Sequence, residues 1–195
     1  ADLMAVFDEQ RLFEAMGLVR DQQNLTRLKV PMEGVDPDGA TTIIPYFKGC
    51  FFLKECEYVV RRERFDAFIH KYTGTFQFQS LTTEAFLEFF KQELPEVFEH
   101  IDVNKWIYEP GLPEDRHRPQ SHLYDEVQQA LEAYKKDGFL PDGDQVAGWH
   151  RYQILSFLQA LPRQMPIQDC RRLEQVLDLE NRNDANHYSY FYAIC

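Results

Sequence analysis

No run in the 195-residue sequence reaches the ~18 consecutive apolar residues that a membrane-spanning helix needs. Basic residues are scarce. Lys and Arg number 21 against 32 Asp and Glu, a net charge of −11. Phosphate backbones and anionic membrane surfaces repel such a chain, so nucleic acid and membranes are poor partners, and cationic or neutral ligands stay open. Disulfide and zinc-knuckle patterns are missing as well. Cys50, Cys56, Cys170 and Cys195 form no C-x-x-C, and their scatter predicts reduced core thiols and a cytoplasmic location. H-E-x-x-H, G-x-S-x-G, Walker and G-x-G-x-x-G motifs are all absent. Of six histidines only His117 and His122 lie close, in "HRPQSH". A Pro-bearing loop separates them, which suits solvated side chains better than metal ligands. The start, "ADLMAVFDEQ", is amphipathic and acidic, unlike a secretion signal.

Present instead are 16 Phe and 10 Tyr, which supply a real core and make disorder a poor reading. Helical periodicity dominates. Leu3, Met4, Val6, Phe7, Leu12, Phe13 and Met16 mark a first helix, with Gly17 after it. Residues 31–45 form a Pro/Gly/Asp loop, and Pro45 suits a first helical turn. From Tyr46 to Val60 the pattern is apolar on most sides and predicts a buried helix. Phe65, Phe68, Ile69 and Tyr72 predict another, closed near Gly74. Thr82 reads as an N-cap, ahead of a helix bearing Phe86, Phe89 and Phe90 that Pro95 would kink.

"EPGLPEDRHRPQS", residues 109–121, is the clearest linker, with three Pro and a charge cluster. Beyond it helices recur between short breaks, around Val127–Tyr134, Trp149–Leu161, Leu173–Leu177 and the aromatic end "NHYSYFYAIC". That rhythm predicts an all-α fold of stacked antiparallel pairs. Both ends fall within helical patterns, which reads as a piece of a longer chain.

Tyr46 carries the only chemistry that stands out. It sits with Lys48 in "PYFKG", at the mouth of the most apolar helix. A neutral phenol is a hydrogen-bond donor at pH 7. At the edge of a cleft it can stabilise charge growing on a carbonyl oxygen. Composition alone ranks it as a packing tyrosine.

"GVDPDGATTIIPYFKGCFFL" resembles the second half of the catalytic domain of gluzincin zinc aminopeptidases, in the leukotriene-hydrolase branch. That family shows G-x-D-P-D-x-A, then V-P-Y-E-K-G. Here Gly34, Asp36, Pro37, Asp38 and Ala40 match, then Pro45, Tyr46, Lys48 and Gly49. "SLTTEAFLEFF" and "VNKWIYEPGLP" resemble the S-[IL]-T-T-[DE] and W-[IL]-x-x-P-G-[LI]-P segments, in the same order over residues 30–113. The resemblance implies the helical subdomain of a thermolysin-like catalytic domain over residues 1–113. The start of an α-solenoid-like helical domain would follow over 114–195.

By the same resemblance Tyr46 is the phenol that hydrogen-bonds the oxyanion of peptide hydrolysis. Asp38 lines the pocket, and Lys48 and Gly49 support the helix start, Gly49 by close packing. Zinc would be the cofactor of the longer protein, with its ligands ahead of residue 1 and none in this chain. Peptides would be the substrate, and the missing N-terminal half the partner. The isolated chain is then expected to be inactive.

Three departures matter: Phe47 replaces a Glu, Cys56 a Leu, and Thr41 a second Tyr of the epoxide-opening branch. The rival reading is a non-catalytic helical interaction module.

Overall fold

The computed structural model describes residues 2–195 and shows no strand among them. It is all-helical, in two compact units, Gln10–Arg118 and the pair of segments Ala1–Glu9 with Pro119–Cys195. The boundary between Glu9 and Gln10 falls within helix α1 (Asp2–Leu18), in which Leu3, Val6, Phe7 and Leu12 are buried.

The unit Gln10–Arg118 continues with a 3-10 turn (Gln23–Thr26), α2 (Pro37–Ala40), α3 (Ile44–Val60), α4 (Arg62–Phe76), α5 (Thr83–Glu93), α6 (Pro95–His100) and α7 (Val103–Tyr108). Pro45 lies in the first turn of α3, where a missing N–H costs nothing. Arg61, at φ 69°, ends α3 and turns the chain directly into α4. The Thr82 hydroxyl caps α5 by accepting from the Ala85 N–H at 3.2 Å. Asp102 caps α7, accepting from the N–H groups of Asn104 and Lys105.

Helix α4 closes near Gly74, as expected, with Phe76 its last residue. Two sequence expectations need correction. Pro95 does not kink one helix; Leu94 leaves helical geometry and Pro95 opens a new one. Helix α3 is not covered on most sides: Ile44, Lys48, Phe51, Phe52, Cys56 and Val60 are buried, while Tyr46, Cys50 and Tyr58 are exposed.

Aromatic rings fill this core. Phe90, fully buried, packs against Phe52 at 5.9 Å, Phe68 at 5.2 Å, Phe86 at 5.4 Å and Phe98 at 5.5 Å between ring centres. Trp106 of α7 meets Phe52 at 5.8 Å. Offset and edge contacts of this kind add to the area buried.

The other unit holds α8 (His122–Asp137), α9 (Gly143–Val146), α10 (Arg151–Ala160), α11 (Ile167–Val176), α12 (Leu179–Arg182) and α13 (Ala185–Ile194). Gly138 ends α8 at φ 70°, a left-handed position where glycine carries no Cβ penalty. His150 and Gln153 form a reciprocal capping box at the start of α10. Val127, Ile154, Phe157, Leu158, Leu173, Leu177 and Leu179 make the core. Phe7, also buried, has its ring 5.6 Å from Tyr152 and 6.0 Å from Tyr190. Arg182 ties the loops together. Its guanidinium donates to the carbonyls of Leu177 at 2.7 Å, Trp149 at 3.2 Å and Val146 at 3.4 Å.

Candidate active-site tyrosine

Helix α3 begins with opposed residues. Two positions along an α-helix differ by roughly 200° of rotation, so Tyr46 and Lys48 face opposite ways. Tyr46 is 77% exposed, and Lys48 is fully buried. A phenol is thus presented outward from a turn that is anchored inward.

The anchor is specific. Lys48 Nζ donates to the Thr26 carbonyl at 3.0 Å and to the Glu109 carbonyl at 2.8 Å. Burial pushes its ammonium down to about 8; the nearby Arg27 charge acts in the same direction and Glu109 opposes it. Thr26 is itself buried. Its hydroxyl donates to the Gln23 carbonyl at 2.6 Å and accepts from the Gly111 N–H at 2.8 Å. Gly111 needs φ 76°, so a side chain there would strain the turn. The Lys29 N–H adds a bond to the Ile107 carbonyl at 2.9 Å. Residues 26, 48 and 109–111, remote in sequence, therefore meet at one ammonium and one hydroxyl. Thr26 was not singled out by sequence reasoning; a lone threonine in "NLTRLKV" carries no signal of burial.

Asp38 lies in α2, ahead of α3. Its own N–H is capped by Asp36 Oδ1 at 3.2 Å, and its side chain is exposed. Thr41 donates to the Pro37 carbonyl at 3.1 Å, closing the same turn. Phe47, half-buried, lies under the Arg11 guanidinium at 4.9 Å. The expectation of close packing at Gly49 is corrected: a Cβ there would meet Leu28 Cδ2 at 3.8 Å, ordinary van der Waals contact. The thiol reading needs dividing too. All four cysteines are free, but only Cys56 and Cys170 are buried; Cys50 and Cys195 are exposed. Burial pushes the Cys56 thiol well above the usual range, so it is inert.

His117 and His122 do not converge on a metal. The His117 ring lies tilted against Tyr58 at 4.1 Å between centres and the His117 main-chain N–H donates to Glu55 Oε1 at 2.6 Å, while His122 opens α8. Among the described residues no three His, Cys, Asp or Glu side chains group to hold an ion. No described helix is long and apolar enough to cross a membrane. Chemically, the α3 start offers one neutral hydrogen-bond donor on a fixed turn. It can stabilise a developing oxyanion but supplies neither nucleophile nor metal.

The fold has a solved counterpart. The solved structure of yeast LTA4 hydrolase in complex with Bestatin superimposes with a TM-score of 0.79 at 22% identity, over 98% of this chain and 35% of that one. No family model matches the chain. In sequence, it is 30% identical over 166 residues to leucine aminopeptidase 2 of Sclerotinia sclerotiorum, covering 81% of this chain and 27% of that protein. A leukotriene A-4 hydrolase homolog of Botryotinia fuckeliana is 29% identical over 166 residues, 81% of this chain and 25% of its own length. The chain is homologous to leucine aminopeptidase 2 and leukotriene A-4 hydrolase homologs and spans about a quarter of the curated relatives it matches.

Proposed function

We propose that this chain is the C-terminal helical part of a zinc aminopeptidase that removes N-terminal residues from peptides. Residues 1–113 would complete its catalytic domain, and 114–195 would begin the helical domain that follows. The observation carrying this reading is Tyr46, an exposed phenol on a helical turn whose opposite face is pinned by Lys48. The phenol donates a hydrogen bond to the oxygen of the peptide carbonyl as that oxygen gains charge. By the resemblance Asp38 would line the substrate pocket of the whole protein, and the chain's acidity suits a substrate α-ammonium.

The whole protein's zinc supplies Lewis-acid chemistry when bound. The described residues do not fit a zinc site; by the resemblance its ligands would belong to an N-terminal part of the whole protein that this chain does not span. The free thiols suit a cytoplasmic enzyme.

The test uses the whole protein. Tyr46→Phe is expected to lower kcat by about 100- to 1,000-fold with KM and zinc content little changed. An unchanged kcat overturns the role. The purified 195-residue chain is expected neither to retain stoichiometric zinc nor to cleave a leucyl reporter; zinc-dependent cleavage by it would refute the division of labour.

Phe47 in place of a Glu beside the phenol favours a second reading, a non-catalytic helical interaction module. The gene upstream decides between them: H-E-x-x-H with a later Glu favours the enzyme, and their absence favours the module.

A further inference from the structure

We propose that Lys48 is the positioning residue of the Tyr46 site: its grip on the Thr26 and Glu109 carbonyls fixes the direction in which the phenol points. The proposal rests on the reading of Tyr46 as an oxyanion donor, and its experiment separates the two.

Lys48 is fully buried, yet it is held by two main-chain carbonyls at 3.0 and 2.8 Å. Burying an ammonium is costly, and an apolar side chain of similar size packs at lower cost. What the ammonium adds is direction. Its two acceptors come from outside α3, one from the 3-10 turn and one from the segment after α7. Those segments are also bonded to each other, by Gly111 N–H to Thr26 Oγ1 and by Lys29 N–H to the Ile107 carbonyl. The acceptors therefore form a single support.

Tyr46 stands two residues from the ammonium in the same helical turn. Any rotation of that turn about its axis moves the phenol, and the Lys48 bonds oppose it. Misplacing a catalytic group by about 1 Å can cost on the order of 100-fold in rate. A fixed turn is what a single donor on an exposed ring requires. The same contact explains why P-Y-x-K-G and W-x-x-x-P-G-x-P, 61 residues apart at Lys48 and Glu109, belong together: one ammonium joins them.

The experiment is a double-mutant cycle in the whole protein. Lys48→Met is expected to lower kcat by roughly 10- to 100-fold while KM stays within about two-fold. In a Tyr46→Phe background the same change is expected to cost less than about three-fold, because the residue it acts through is gone. Equal losses in both backgrounds, or no loss of kcat in the first, overturn the proposal.

If Tyr46→Phe itself leaves kcat unchanged, or the whole protein hydrolyses no peptide, the oxyanion reading fails instead. The positioning claim is then settled in the 195-residue chain by site-specific 3-fluorotyrosine at Tyr46. Its fluorine resonance is expected to shift and broaden on Lys48→Met, while one at Tyr192 does not. An unmoved Tyr46 resonance overturns the claim. Should Lys48→Met fail to fold, Lys48→Gln, which keeps a donor for one carbonyl, takes its place in both measurements.

Discussion

Lys48 joins two properties in one side chain, a buried charge and an unusual titration. Unfolded, it takes up its proton at about 10.5; folded, at about 8. Between those values the unfolded chain holds a proton that the folded chain lacks. Stability therefore rises with pH across that window, and the burial penalty is full below pH 8. The gain is on the order of 3 kcal/mol by linkage. Urea midpoints of wild type minus Lys48→Met, taken at pH 7 and pH 10, are expected to favour wild type more at the higher value. A difference that is flat or falls with pH contradicts the burial. Arg182 makes the same kind of bond with a half-buried guanidinium, spread over three carbonyls. Arg182→Met strands those acceptors and is expected to cost about 2–4 kcal/mol, read from the unfolding of Trp149 fluorescence.

Among the elements, α5 shows what sequence can and cannot disclose. Its N-cap at Thr82 was legible because a short hydroxyl before a periodic apolar run has one good use. Thr82→Ala is expected to cost about 1 kcal/mol in chemical denaturation. The end of α4 was legible only to within two residues. Gly74 weakens a helix by about 1 kcal/mol, yet α4 continues, because continuing places Phe76 on Tyr72 at 5.5 Å and on Phe89 at 5.0 Å. The pairing is tertiary and leaves no mark on residues 70–76 themselves. Helix α3 misleads for a related reason. Its apolar residues are visible, but which of its faces the chain covers depends on the 3-10 turn and α6, and Tyr46 lies on the uncovered one. The candidate site was therefore legible as a motif, Pro45-Tyr46 with Lys48, and illegible as an arrangement. Nothing local ties Lys48 to Thr26 or Glu109. The Phe90 cluster gives the sharpest test at this scale. Phe90→Ala removes the ring that Phe52, Phe68, Phe86 and Phe98 share, and is expected to cost about 3–5 kcal/mol.

At the scale of the whole chain, the loop-rich stretch around residues 109–121 announces a boundary, since three prolines and a charge cluster cannot sit inside a packed core. That Ala1–Glu9 groups with Pro119–Cys195 is a contact across more than a hundred residues, and no local pattern carries it. The grouping has a direct test, because the chain's two tryptophans fall one in each unit: Trp106 within Gln10–Arg118, and Trp149 in the other. Phe7 is buried at 4% exposure among Tyr152 and Tyr190. Truncating it leaves a cavity in the unit that holds Trp149, at a cost of about 3–5 kcal/mol. With Trp106→Phe and Trp149→Phe backgrounds separating the two signals, Phe7→Ala is expected to lower the transition reported by Trp149 more than that reported by Trp106. A shift confined to Trp106 would mean that the chain's first residues stabilise Gln10–Arg118 instead.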